Sequence, residues 1–133
     1  SDMTRTVCLG QADDEMKRLY ATVLKAQLAA MEGAKVGMKC AAIDAIARDV
    51  FENAGYHGAF GHSLGHSVGL EIHEAPNFAP RSVDFFENGH VITVEPGIYL
   101  PGKYGCRIED MIYAEDGKVT SLTASDKQLI ELF

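Results

Sequence analysis

A single change of period limits what this chain can fold into. As far as Phe51 the apolar residues recur at helical spacing, and from Tyr56 onward glycines punctuate short runs rich in β-branched residues. Met16, Tyr20, Val23, Leu24, Leu28 and Met31 share one helical face, Asp13 stands ready as an N-cap, and the spacing predicts a helix to about Glu32. Lys17, Arg18 and Lys25 occupy its other face. Beyond Gly33 and Gly37, the positions of Ile43, Ile46, Ala47, Val50 and Phe51 predict a second amphipathic helix that stops near Gly55. Ahead of both, Met3 to Leu9 alternates as a short strand ended by Gly10, with Asp2, Thr4 and Thr6 on one face.

In the second part, glycines at 58, 61, 65 and 69 separate short extended pieces, followed by a proline-bearing loop from Pro76 to Pro80. Val91 to Val94 reads as a strand stopped by Pro96-Gly97. Arg107 to Tyr113 and Val119 to Leu122 flank the turn Glu115-Asp116-Gly117 as a hairpin. The order β-α-α-β-β-β predicts one α+β domain with its helices on one face of an antiparallel sheet. A chain of 133 residues, 47% hydrophobic and 23% charged, is neither disordered nor fibrous. It can bury roughly two-thirds of the surface its unfolded form exposes. A net charge of −7, with no basic run, excludes a nucleic-acid partner. Cys8, Cys40 and Cys106 form no CxxC pair, which points to reduced thiols and a cytoplasmic protein. No apolar run approaches the roughly 20 residues that span a bilayer, so no membrane partner is expected. The start, Ser1-Asp2-Met3, opens directly into a strand without an initiator Met, and the chain reads as a fragment of a larger domain.

Chemistry concentrates in the second part. His62, His66 and His73 fall in one glycine-rich stretch, with His57 just before it, and imidazole serves both as a metal ligand and as a general acid or base near neutral pH. Glu95 ends an apolar strand, where a carboxylate is costly unless it is paired, protonated or bound to a cation. Thr93 shares its face. Strand alternation places Arg107 and Glu109 on one side and Ile108 and Asp110 on the other, an arrangement a salt bridge would also explain. Taken with Asp2, one imidazole and three carboxylates suit Mn²⁺, Co²⁺, Zn²⁺ or Fe²⁺ better than a thiolate-seeking ion. Spacing alone does not choose among the histidines.

Four ordered motifs resemble a known family. These are Ser1-Asp2-Met3-Thr4-Arg5-Thr6, the segment His62 to Pro76, Thr93-Val94-Glu95-Pro96-Gly97-Ile98-Tyr99 and Tyr104-Gly105-Cys106-Arg107-Ile108-Glu109-Asp110. Over its whole length the chain resembles the pita-bread (creatinase/aminopeptidase-fold) metallopeptidases, which include methionine aminopeptidase, aminopeptidase P and proline dipeptidase. Phe60-Gly61-His62-Ser63-Leu64-Gly65-His66, with Leu70-Glu71-Ile72-His73-Glu74-Ala75-Pro76, is most similar to the proline-specific branch. The resemblance implies an α+β pita-bread fold, a curved antiparallel sheet with helices on its outer face, here the C-terminal part of a catalytic domain over residues 1–133. It differs from the family pattern at Asn88-Gly89-His90 and at Ser67, positions that bear on pocket shape rather than on a ligand.

The resemblance further implies that Asp2, His66, Glu95 and Glu109 are metal ligands, with Asp2 and Glu109 bridging two divalent ions, manganese foremost and cobalt, zinc or iron as alternatives. A further family Asp lies before the start of this chain, so the second ion site is expected to be incomplete. His62, His73 and Glu95 are the implied catalytic residues, His62 on the proline side and Glu95 shuttling a proton. His73 and Arg81 contact substrate, and Arg107 orients a bridging carboxylate. The implied activity is hydrolysis of Xaa-Pro bonds at peptide N-termini through metal-activated hydroxide, on substrates with proline in second position. The full-length protein is expected to be a homodimer and the isolated fragment weakly active or inactive. Aminopeptidase P and methionine aminopeptidase are the alternatives within the family. A non-catalytic binding module or a metal-free relative of the creatine amidinohydrolase kind are those outside its chemistry.

Overall fold

The computed structural model describes all 133 residues. Its first strand, β1 (Val7–Leu9), is shorter than the alternation from Met3 predicts, because the chain ahead of it turns to a different partner. Thr4 there forms an isolated antiparallel bridge with Glu109. Asp13 then caps α1 (Asp14–Gly33), its side chain accepting the Met16 amide at 2.8 Å. The buried stripe of α1 runs through Met16, Leu19, Tyr20, Val23, Ala26, Gln27 and Ala30. Leu28, counted on that face from spacing, is instead exposed, since the stripe is centred nearer Leu19 and Ala26. The second helix, α2 (Cys40–Asn53), packs against α1, buries Cys40, Ile43, Asp44, Ala47 and Phe51, and is followed by Gly55 at φ +85°.

The remainder is β structure: β2 (Gly65–Ser67), β3 (Glu74–Phe78), β4 (Val91–Val94), β5 (Gly97–Leu100), β6 (Tyr104–Arg107), β7 (Asp110–Glu115), β8 (Lys118–Ser121) and β9 (Ile130–Leu132). The main sheet runs β3-β2-β4-β7-β8 and is antiparallel throughout, while β5 and β6 form a separate hairpin. Against the expectation of purely antiparallel pairing, β1 pairs parallel with β9, a strand the sequence pattern did not announce. Pro76 lies inside β3 rather than opening a loop. That strand is the sheet edge, where a missing N–H is tolerated. The hairpin between β7 and β8 turns on Asp116 (φ +50°) and Gly117 (φ +74°), as its Asp-Gly pair predicts.

The run from Arg107 to Tyr113 is divided between two strands. Arg107 ends β6 opposite Gly97 of β5, and Asp110 begins β7 opposite Val94 of β4. Between them Glu109 bridges Thr4. Glu95 sits at the matching gap between β4 and β5, its amide donating to the Leu64 carbonyl at 2.7 Å. The two acidic residues therefore stand where strands change partners, above one core that includes Leu19, Ile43, Phe51, Phe78, Phe86, Ile92 and Ile108.

Candidate metal centre

His66 is placed by β2, which lies unusually close to β4. A Cβ on Gly65 would sit 1.7 Å from the Thr93 carbonyl oxygen, so only glycine permits this approach. The His66 amide donates to the Thr93 hydroxyl (3.0 Å), and that hydroxyl donates to Glu95 Oε1 (2.9 Å). His66 Nδ1 faces the Ser67 carbonyl at 3.1 Å and so carries the ring proton, leaving Nε2 as an acceptor. Nε2 lies 3.2 Å from Glu95 Oε1 and 3.5 Å from Asp2 Oδ2. A lone pair aimed at two carboxylates needs a proton or a cation between them.

Asp2, His66 and Glu109 each place a donor atom within 4.8 Å of the others. Burial pushes the Glu109 carboxyl above its ordinary range, and the charges of Glu95 and Asp2 push the same way against the Thr4 hydroxyl and Arg107. Crowded carboxylates, one of them buried, with an imidazole acceptor among them make a donor set that fits a divalent ion. Thr4 donates its hydroxyl proton to Glu109 Oε2 at 2.5 Å while accepting from Arg107 Nε (3.1 Å) and Nη2 (3.0 Å). Arg107 is 3.9 Å from both Glu95 and Glu109, so it steers Glu109 chiefly through Thr4. Burial works against the Arg107 charge, but the Tyr99 hydroxyl and the two glutamates hold its pKa above the usual value.

A cleft beside this cluster is lined by His62, Ser63, His66, His73, Asn77, Ala79, Glu95 and Arg107. The exposed His73 ring stands 4.3 Å from that of His66, and His62 Nε2 meets the Tyr99 hydroxyl at 2.8 Å. Helix α2 holds the His62 backbone: Arg48, paired with the buried Asp44, donates to the carbonyls of Phe60 (3.0 Å) and His62 (2.6 Å). Asp44 in turn accepts the Leu64 amide at 3.0 Å. Two residues singled out from sequence stay outside the cleft. Arg81 is exposed on the loop between β3 and β4, and His57 is on the surface beside Glu52 at 2.5 Å. Asp44 and Arg48 carry no motif signal that sequence reasoning used, and Thr4 and Tyr99 stood in quoted motifs without being given a role.

The sequence model of metallopeptidase family M24 matches residues 1–116. A Xaa-Pro dipeptidase of Pyrococcus furiosus is 42% identical over 130 residues, 98% of this chain and 37% of that protein. Among solved structures, the Xaa-Pro dipeptidase from Bacillus anthracis superposes with a TM-score of 0.95 at 48% identity, over 99% of this chain and 37% of that one. The X-Pro aminopeptidase from Thermotoga maritima gives a TM-score of 0.94 at 39% identity, over 99% and 38%. The chain thus spans a little over a third of the length of the relatives it matches.

Proposed function

The chain belongs to metallopeptidase family M24 and carries part of its pita-bread fold, and from that premise we propose that it is the C-terminal part of the catalytic domain of a Xaa-Pro dipeptidase. The observation that carries the reading is the meeting of Asp2, His66 and Glu109 within 4.8 Å, with Glu95 against His66, in a chain similar to proteins named for that activity. Asp2, Glu109, Glu95 and His66 Nε2 would hold divalent ions, manganese foremost. Such ions supply a water nucleophile at neutral pH and polarise the scissile carbonyl.

The remaining work falls to the chain's own residues. Ser67 fixes the His66 tautomer through its carbonyl, and Thr4 with Arg107 fixes the Glu109 carboxylate. His73, at the open side of the cleft, donates to the substrate carbonyl oxygen as charge develops on it. Glu95, its Oε1 held by Thr93, takes a proton from the attacking water and passes it to the departing prolyl nitrogen. His62, tied to Tyr99, lines the side that receives the proline ring. The proline nitrogen has no N–H, so ring shape and the charged chain ends carry the selection. Three unpaired cysteines accord with a reducing compartment such as the cytoplasm, and the complete protein is taken to be a homodimer.

A second reading, aminopeptidase P, is favoured by the likeness to the Thermotoga X-Pro aminopeptidase. The test is cleavage by the intact protein of a Gly-Pro-type dipeptide and of a longer Xaa-Pro peptide, with Mn²⁺ and then with chelator. Chelator-sensitive cleavage of the dipeptide alone supports the dipeptidase, and cleavage of the longer peptide moves the assignment to aminopeptidase P. No cleavage of either, with no metal bound, overturns both in favour of a binding role.

A further inference from the structure

Two proposed ligands, Asp2 and Glu109, come from segments whose backbones pair through one isolated bridge, with bonds of 3.4 Å and 3.1 Å, supplemented by the hydroxyls of Thr4 and Thr6. One side chain is wrapped around that bridge. Arg5 Nη1 donates to the carbonyls of both bridge residues, Thr4 at 2.9 Å and Glu109 at 2.8 Å. Its Nη2 donates to Asp110 Oδ1 (2.8 Å) and the Ser125 carbonyl (2.9 Å), and its Nε to the Asp126 carbonyl (2.8 Å). All five N–H groups of the guanidinium are thereby used.

Its counter-anchor is fully buried. Asp110 also accepts from Gln27 Nε2 of α1 at 2.9 Å and from Lys127 Nζ, and Lys127 in turn reaches Gln27 Oε1 at 3.1 Å. Strand alternation turns Asp110 away from Glu109, so this network lies behind the carboxylate cluster and not in the cleft.

We infer that Arg5 is a positioning residue for the metal centre: its planar fork locks the segment carrying Asp2 to the strand junction carrying Glu109, so that the two carboxylates face the ions in one geometry. The inference rests on the reading of those carboxylates as ligands. Electrostatics alone would act in the opposite sense, because a nearby cation repels a divalent ion and its removal would tighten ion binding. A lysine keeps the charge but cannot span the five acceptors.

The test is Co²⁺ binding to the intact protein, stripped of metal, followed by calorimetric titration and by the visible absorption of the bound ion, for wild type, Arg5→Lys, Arg5→Met and Ile43→Ala. Ile43→Ala cuts a cavity in the core on α2 and controls for lost stability, measured as the melting temperature of each metal-free protein. Both Arg5 variants are expected to bind Co²⁺ about 10–100-fold more weakly, with an altered absorption band, the range typical for residues that orient ligands. Ile43→Ala is expected to keep wild-type affinity and spectrum. Arg5→Met binding as tightly as wild type or tighter, Arg5→Lys binding with wild-type affinity, or Ile43→Ala weakened as much as either, overturns the role of Arg5. Wild type that takes up no Co²⁺ overturns the metal centre itself.

Discussion

A hydroxyl has one proton to give, and at Thr4 two guanidinium N–H groups of Arg107 occupy the oxygen, so that proton is committed to Glu109. Thr4→Val keeps the shape and removes the link. It should weaken Mn²⁺ binding about tenfold, the low end for such partners, while Thr4→Ser restores most of it. Equal affinity in titrations of all three proteins would show that Glu109 orients without help. Asp110 offers a test in pH. Burial alone would raise its carboxyl, but the bonds from Lys127, Arg5 and Gln27 outweigh this and hold it below the usual carboxylate range. A depressed folded-state pKa means stability that is present above the unfolded value of about 3.9 and lost as the pH falls through the folded one. Metal-free wild type should therefore exceed Asp110→Asn by about 3 kcal/mol at pH 7 and converge on it below pH 4, read from urea midpoints. A constant gap across that range would contradict the ionic account. At this scale the residues alone offered Asp2, Glu95 and Glu109 beside several histidines, and only the family resemblance singled out His66 and the proposed ligand set. The roles of Arg5, Thr4 and Arg48 were not legible, since apart from Asp44 for Arg48 and the Thr4 carbonyl for Arg5 their partners lie 12 to 121 positions away and leave no local period.

Two strands that approach too closely for a side chain explain why Gly65 is irreplaceable in β2. Gly65→Ala would drive a methyl into the Thr93 carbonyl, which cannot move without breaking the β4–β7 ladder. The expected loss is about 3 kcal/mol, at the top of the range for overpacking, and His66 should lose its register with Glu95. Thermal melts of the variant within a degree of wild type would show that β2 can slide. Both helices were readable from sequence because a 3.6-residue period survives over 14 and 20 residues. The strands were read less well. Runs of three to six residues hold too few periods, and the breaks at 95–96 and 108–109 arise from changes of partner that alternation does not register. β9 was missed because Ile130 to Leu132 is exposed on a two-stranded edge, with no buried face to pattern it.

Across the molecule, the donor residues are drawn from four separate segments, so ions bound among them would join the segment before β1 to β2 and to both strand junctions. Ions that bind only the folded form stabilise it by about 2.7 kcal/mol at a hundredfold excess over Kd. Chelation of the intact protein should lower its melting temperature by several degrees, and re-addition of Mn²⁺ should restore it. An unchanged melting curve would mean that the ions add nothing to the fold. The distance along the chain between Thr4 and Glu109, 105 positions, also matters during synthesis. A ribosome adding roughly 5–20 residues per second exposes Asp2 some five to twenty seconds before Glu109 exists to meet it. β1 waits longer still, for β9 at the other end of the sequence. A nascent chain therefore cannot gather Asp2, His66, Glu95 and Glu109 into one cluster until translation of this region is complete.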